Sequence, residues 1–210
     1  MNGFQQEGAE NLSQKVQSMI TNSVFCGLVA TMSGLYFVVT GIQYWITAYM
    51  MTVLGANAEL AALYFVILCF TGPIMGVIAG GILTQYVGGY NSTKGQLLQC
   101  IVGVLACLAG IPVPFCGNIH FMAIFVWLLL FFGGFITPQV IGIMLNSVEE
   151  SKRISANSLA QLAFNLIGYL PAPTFYGFIA QISGNETSRI PMACLLFTTI
   201  FTVSALIFSV

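Results

Sequence analysis

Charged side chains are scarce in this sequence, and aspartate is missing altogether. Five basic and six acidic residues make up 5% of the 210 positions, whereas soluble domains carry about 25% charged residues. So few charges cannot cover a water-exposed surface, and we predict that the remaining apolar surface faces lipid or other helices. The net charge of −1 also provides no basic face for nucleic acid.

The residues that most often perform catalysis or bind metals are equally rare. His120 is the only histidine, and no CxxC pair occurs among the six cysteines. Without aspartate the chain cannot be an aspartyl intramembrane protease, and a serine mechanism would have only this one histidine as its base. We therefore predict no enzymatic activity, no metal site and no cofactor.

Long apolar runs are abundant instead. Six of them have roughly the 20 residues that a helix needs to cross a bilayer, and they lie at about 22–51, 58–86, 95–114, 119–145, 155–181 and 190–210. Runs this long favour helices over the short alternating strands of a β-barrel. We predict an all-α membrane protein in which residues 22–210 form a six-helix transmembrane domain.

The residues ahead of the first run, 1–21, are largely polar. Leu12, Val16, Met19 and Ile20 recur at helical spacing, which predicts an amphipathic helix lying along the membrane surface.

The basic residues predict the orientation of the six spans. Lys15, Lys94, Lys152 and Arg153 fall on the side of the N-terminus, and Arg189 alone falls on the opposite side. Because basic residues concentrate in cytoplasmic loops, we predict a cytoplasmic N-terminus. The sequence leaves open whether the membrane is the plasma membrane or an endolysosomal or vacuolar one.

A polar and aromatic patch lies within the first span. Thr40, Gln43, Tyr44 and Thr47 follow i, i+3, i+4 and i+7 spacing, which places them on one helix face. A glutamine inside a span costs free energy unless it is hydrogen-bonded. The patch either bonds a neighbouring helix or lines a hydrated pathway.

The fifth span carries a second polar stripe. Asn157, Gln161, Asn165 and Tyr169 recur every four residues, so they form one continuous line along the helix. The prolines of the following PAP, Pro171 and Pro173, are expected to break the helix there. A polar stripe that ends at a broken helix predicts a substrate cavity near the midplane, with an interhelical hydrogen-bond ladder as the alternative.

Glycines recur along the second span. Gly72, Gly76 and Gly80 are four residues apart, which makes a groove where two helix backbones can approach closely. Pro73 within the same stretch favours a kink. The groove is either a static helix contact or a sliding surface on which two halves of a larger protein rock.

Two further features stand near the cytoplasmic end. Gln139 follows Pro138 in the fourth span, where a kink or a hinge is expected, and we include this glutamine among the pathway candidates. The loop EESKR places Glu149, Glu150, Lys152 and Arg153 within five residues. These residues form either a solvated turn, because surface ion pairs contribute little, or an ionic latch at an inner gate.

Two stretches of the sequence resemble signatures of the major facilitator superfamily. GGILTQYVGGYNSTKG, between spans two and three, is similar to the cytoplasmic loop signature G-x-L-a-D-r-x-G-r-r, with Gly81, Leu83 and Gly88 matching and Gln85 at the place of the aspartate. The stretch from VEESKR to PAPTFYG resembles the region that joins helices ten and eleven, with Arg153 among the matching residues. The subfamily that it resembles most is the spinster type with its related protist members.

This resemblance implies that the six spans correspond to helices seven to twelve, the C-terminal half of a transporter. It also implies that residues 1–21 are the end of the cytoplasmic linker that precedes helix seven. Members of the superfamily normally have twelve helices, so we expect the partners to be the lipid bilayer, a small-molecule solute, and a missing N-terminal six-helix half or a second chain. The rival interpretation is a membrane scaffold or regulatory half-transporter that does not transport and pairs with another chain.

Overall fold

The structure is a computed structural model that describes residues 16–89, 92–184 and 187–209, and over these ranges it contains helices and no strands. Within these described ranges, six helical stretches are long and apolar enough to cross a membrane. The α-helices that build them are α1 (Ser23–Thr52), α2 (Ala58–Tyr86), α3 (Thr93–Gly110), α4 (Ile119–Asn146), α5 (Arg153–Ala163), α6 (Pro171–Ser183) and α7 (Ile190–Ser209). The fifth span, Glu150–Ser183, combines α5 and α6.

The first four spans begin at polar residues that cap their helices. The side chains of Asn22, Asn57, Ser92 and Asn118 each accept a hydrogen bond from a backbone N–H in the first turn of α1, α2, α3 and α4. Capping satisfies donors that would otherwise be unpaired at the helix start. These capping residues are the polar residues that separate the apolar runs in the sequence. The six helical spans of the described residues confirm the predicted all-α architecture.

Helix α4 lies at the centre of the bundle. No residue between 125 and 145 is exposed, since α2, α3 and α1 all pack against it. On the other side of the bundle, α1 packs against α7 and the fifth span. Buried side chains from these helices form two apolar clusters, one near each end of the bundle.

The glycine groove of α2 is the contact with α4. A Cβ added to Gly76 would lie 2.1 Å from the carbonyl oxygen of Phe131, and one added to Gly80 would lie 2.1 Å from that of Phe135. Only glycine permits backbones to come this close. The groove is therefore filled by a helix of the same six-helix unit.

The fifth span does not break at its prolines. Instead, Phe164–Tyr169 forms a π-helical turn, in which the N–H of Leu170 donates to the carbonyl of Asn165, and α6 then starts at Pro171. A proline at the first helical position lacks only an N–H that needs no partner there. The wider turn therefore accommodates the prolines without ending the span.

Residues 1–15 of the predicted linker segment lie outside the described residues. Its last turn, 16–20, is helical, and Met19 is fully buried in the bundle rather than facing a membrane surface, while Ile20 is exposed. The side chain of Asn22 donates a hydrogen bond of 2.8 Å to the carbonyl of Ser147. The start of α1 is thereby attached to the end of α4.

Candidate functional site

Polar side chains reach the outer surface of the bundle on two of its spans. The exposed face of α2 consists of large hydrophobic side chains, among them Val66, Phe70, Ile74 and Ile78. No residue between 62 and 83 exposes a polar side chain. The exposed residues of α3 beyond Lys94, and those of α7, are apolar as well. In contrast, α1 and the fifth span expose amides and hydroxyls far from their ends, and these two spans are adjacent.

The α1 patch combines exposed and half-buried residues. Gln43 and Tyr44 are exposed, the latter with 65% of its surface accessible, whereas Thr40 and Thr47 are half-buried. The Thr40 hydroxyl oxygen is itself buried and has no hydrogen-bond partner within the ranges that the structure describes. An unpaired hydroxyl at such a position costs free energy until a partner is supplied.

The stripe of the fifth span is exposed along its whole length. Asn157, Gln161, Asn165 and Tyr169 all reach the surface. The Asn165 amide donates a 2.8 Å hydrogen bond to the carbonyl of Gln161, so the stripe makes no ladder to a neighbouring helix at this residue. Asn165 and Tyr169 belong to the π-helical turn, a feature that often occurs at functional sites.

Aromatic stacking joins the two polar faces. The rings of Tyr36 and Tyr169 stack with centroids 4.7 Å apart, and Tyr36 also contacts Phe164 at 5.5 Å. Tyr36 lies one helical turn before Thr40, so it continues the α1 patch toward the fifth span. Sequence reasoning missed Tyr36, although extending the patch one turn backward would have found it.

A second aromatic contact holds the two spans together further along. The Trp45 indole N–H donates a 3.0 Å hydrogen bond to the carbonyl of Pro173, and the Trp45 ring stacks on Tyr176 with centroids 4.8 Å apart. Pro173 therefore has a side-chain partner from α1 for its carbonyl, which fixes the start of α6. Trp45 was also missed by sequence reasoning, because no spacing rule links it to Pro173.

Gln139 does not belong to this surface. It is fully buried, and its amide donates a 3.2 Å hydrogen bond to the carbonyl of Gly80 across the contact of α4 with α2. The structure therefore separates Gln139 from the other pathway candidates and places it in the packing between two helices. Its position beside Pro138 had suggested a pathway role, which this burial does not support.

The charged residues of the loop between α4 and α5 bond within the loop and to the end of α4. Glu149 forms an ion pair of 3.0 Å with Lys152, and Arg153 donates a 3.2 Å hydrogen bond to the carbonyl of Leu145. The ion pair lies within the loop, and the Arg153 bond attaches the start of α5 to the end of α4. Among the described residues, no group of three or more histidine, cysteine or acidic side chains could hold a metal ion.

The bundle therefore defines an integral multi-pass membrane protein with one polar seam along its outer surface, formed by α1 and the fifth span. No family model matches the sequence, and no curated protein matches it. Solved structures do match. One is a bacterial homologue of the human lysosomal transporter Spinster in an inward-facing and occupied conformation, with a TM-score of 0.70, 16% identity, and coverage of 91% of this chain and 50% of the other.

The unoccupied inward-facing structure of a bacterial Spinster homologue matches as well, with a TM-score of 0.61 and 17% identity over 100% of this chain and 50% of the other. The chain thus spans half the length of the transporters that it matches. Its fold is similar to one half of these transporters, which agrees with the half-transporter fold that the sequence resemblance implied.

Proposed function

We propose that the chain acts as the C-terminal half of a secondary transporter or facilitator, which moves a small solute across a membrane by alternating access. The observation that carries this proposal is the restriction of exposed intramembrane amides and hydroxyls to α1 and the fifth span. The transporter half-fold supports it.

Lipid is an unsuitable neighbour for this polar seam. Amide groups lose their hydrogen bonds to water when they enter hydrocarbon, and each unpaired polar group costs several kcal/mol there. Gln43, Gln161 and Asn165 lie well inside their spans and are exposed. We therefore infer that the seam faces an aqueous cavity, closed on its other side by a second six-helix unit.

The groups on the seam indicate how a solute would be held. The pathway residues Gln43, Tyr44, Gln161, Asn165 and Tyr169 offer amides, phenol groups and aromatic faces, and none of them carries a charge at neutral pH. Recognition by this half would rest on hydrogen bonds and stacking. Ion coupling would require residues of the other half, or transport would be uncoupled.

The reactivity of introduced cysteines tests whether the polar seam is accessible to water. With all six native cysteines replaced by serine, Gln161→Cys and Asn165→Cys should react with a small hydrophilic methanethiosulfonate at least tenfold faster than Ile101→Cys, which lies on the exposed apolar face of α3. Equal, slow rates at all three positions would place the seam against lipid or protein and would contradict the cavity.

Uptake measurements test transport itself. Cells that express the protein are given an isotope-labelled mixture of small metabolites, and intracellular label is followed by mass spectrometry. We expect Asn165→Ala to lower uptake of at least one solute fivefold or more at unchanged expression, whereas Leu105→Ala, on the outer face of α3, should leave it unchanged. A wet seam without any uptake would favour the scaffold that pairs with another chain.

A further inference from the structure

Tyr44 is the most exposed aromatic residue of the polar seam, and its neighbour Trp45 holds it in place. The Tyr44 side chain is 65% exposed, compared with 39% for Tyr169. The Tyr44 ring meets the Trp45 ring at an interplanar angle of 62°, with centroids 5.2 Å apart. Trp45 is fixed in turn by its stacking on Tyr176 and by its hydrogen bond to the carbonyl of Pro173. The seam therefore presents a positioned aromatic ring with most of its surface free.

Uncharged hydrogen-bonding groups surround this ring. Thr40 lies one turn before Tyr44 and Thr47 lies one turn after it, on the same face of α1. Gln43 is the adjacent residue and is exposed. The hydroxyl of Thr40 has no partner among the described residues, so it lacks a hydrogen bond that a solute or a water could supply. An aromatic ring bordered by hydroxyls and an amide matches a solute ring that is apolar on its face and polar at its edge.

Charged side chains are absent from the described part of the seam. Those that the structure describes, from Glu59 to Arg189, lie in the connections between α-helices or within the first two residues of an α-helix. A carboxylate, phosphate or ammonium group that contacts this half would lose water without gaining a partner of opposite charge, which is costly in a site of low dielectric. The seam therefore favours a solute that is uncharged where it contacts this half.

We propose that Tyr44 is the stacking platform for an uncharged, ring-shaped solute with several hydroxyl groups, the chemistry that hexoses and nucleosides share, and that Trp45 positions this platform. The inference rests on the proposed function, since it concerns the solute of the same seam. In the complex, one face of the solute ring lies on the Tyr44 ring, and groups at the ring edge form hydrogen bonds with Gln43, Thr40 and Thr47. Specificity then depends on the aromatic face of Tyr44 rather than on its hydroxyl.

Uptake of defined solutes tests the chemical class. Cells that express the protein, and lack their own uptake systems for the tested solutes, receive one labelled solute at a time. Glucose and uridine are the uncharged rings, glycerol is uncharged without a ring, and glutamate and lysine are charged. We expect uptake of glucose or uridine at least fivefold above that of cells without the protein, with glycerol, glutamate and lysine at background. The solute that enters identifies which of the two ring classes the seam binds.

The outcomes separate the solute class from transport itself. If the solutes that enter, from this panel or from the metabolite mixture described above, are charged or lack a ring, the assignment of the solute class is wrong although transport stands. Uptake of no solute in either experiment contradicts the proposed function as well.

Substitution of Tyr44 tests the platform. Tyr44→Phe keeps the aromatic face, so the KM for the transported ring should stay within about twofold of the parent value, whereas Tyr44→Leu should raise KM about fivefold. Tyr86→Leu is the matched control, because it removes a phenol ring that is 86% exposed at the end of α2, and it should leave KM unchanged. A parent-like KM in Tyr44→Leu would show that this ring does not contact the solute.

Trp45→Phe separates a positioning role from a purely structural one. The variant keeps an aromatic ring beside Tyr176 but loses the hydrogen bond to Pro173. We expect KM to rise by less than in Tyr44→Leu, at the parent maximal rate and expression. In the Tyr44→Leu background, Trp45→Phe should not change KM further, because no ring remains to be positioned. An equal effect in both backgrounds, or a lower maximal rate at unchanged KM, would overturn the positioning role.

Discussion

Tyr36 and Tyr169 stack with an interplanar angle of 27° at the point where the polar patch of α1 meets the polar stripe of the fifth span. Among the described aromatic pairs that join α1 to the fifth span, this pair has the shortest distance between ring centroids. It connects Thr40 on one span to Asn165 on the other, since each lies one turn away along its own helix.

This stack should contribute a measurable coupling energy. In a double-mutant cycle of Tyr36→Leu and Tyr169→Leu, we expect the coupling in the free energy of unfolding to be about 0.5–1.5 kcal/mol, as for other aromatic pairs. Equilibrium unfolding in mixed detergent and SDS measures it. The control cycle pairs Tyr36→Leu with Tyr86→Leu, which is 86% exposed at the end of α2. A coupling of the same size in both cycles would show that the stack contributes nothing of its own.

A second prediction concerns the stability of the glycine contact between α2 and α4. Gly76→Ala and Gly80→Ala place a methyl group against backbone carbonyls that cannot turn away, so each should lower the free energy of unfolding by about 1–3 kcal/mol or more. Gly81→Ala is the matched control, because nothing lies within 4 Å of the added Cβ. It should stabilise α2 by up to about 1 kcal/mol through helix propensity.

The same unfolding assay compares the three alanine variants directly. Equal effects at Gly80 and Gly81, which are adjacent in the chain, would mean that α2 and α4 are not in backbone contact at this point.

Gln139 should behave as a packing residue. Gln139→Met removes one interhelical hydrogen bond and also the buried Gln139 carbonyl oxygen, which has no partner among the described residues. These two changes oppose each other, so we expect a change in stability of no more than about 1 kcal/mol. Solute uptake should stay at the parent level, in contrast to Asn165→Ala. A fivefold loss of uptake with normal expression would return Gln139 to the pathway.

Cys116 provides a test of topology and of electrostatics outside the spans. Burial raises the pKa of the Cys116 thiol, and the nearby positive charge of Arg189 partly opposes this shift. Because the thiolate is the reactive form, labelling with maleimide at pH 7 should be slower than for a free cysteine, and it should rise about tenfold per pH unit below the pKa. Arg189→Gln should raise the pKa further and slow the reaction, while Lys94→Gln should not.

Labelling of intact cells with an impermeant maleimide tests the orientation of the chain in the membrane. The loop with Cys116 joins the third and fourth spans, so a cytoplasmic N-terminus requires this loop to face away from the cytoplasm. If the protein resides at the cell surface, the reagent should label Cys116 before permeabilisation. Labelling of surface-resident protein only after permeabilisation would reverse the predicted orientation.

Span positions could be predicted from the sequence because they depend on local features. Apolar runs of sufficient length mark the helices, and residues such as Asn57 and Asn118 both interrupt the runs and cap the next helix. The predicted 58–86 and 119–145 therefore agree closely with Ala58–Tyr86 and Ile119–Asn146. The two polar faces were visible for the same reason, since their spacing follows one helix at a time.

Contacts between helices could not be predicted in this way. The glycine spacing of α2 predicted a close approach of two helix backbones but did not identify α4 as the partner. The position of Gln139 in the sequence was compatible with both a cavity and a buried hydrogen bond. Spacing along one helix says which residues share a face but not what that face meets. The π-helical turn depends on the same missing information, because Gly168 fits closely against the Ser33 backbone of α1.

The π-helical turn holds one residue more than an α-helical path between α5 and α6 would need. Removing one residue between 164 and 169 would leave the number of spans and their apolar character unchanged, and an α-helical turn would replace the wider one. Because the additional residue is taken up by smaller rotation per residue within the turn, α5 and α6 would keep their relative orientation, and Trp45 would still meet Tyr176. The change would be confined to the turn itself, where Asn165 and Tyr169 reach the surface.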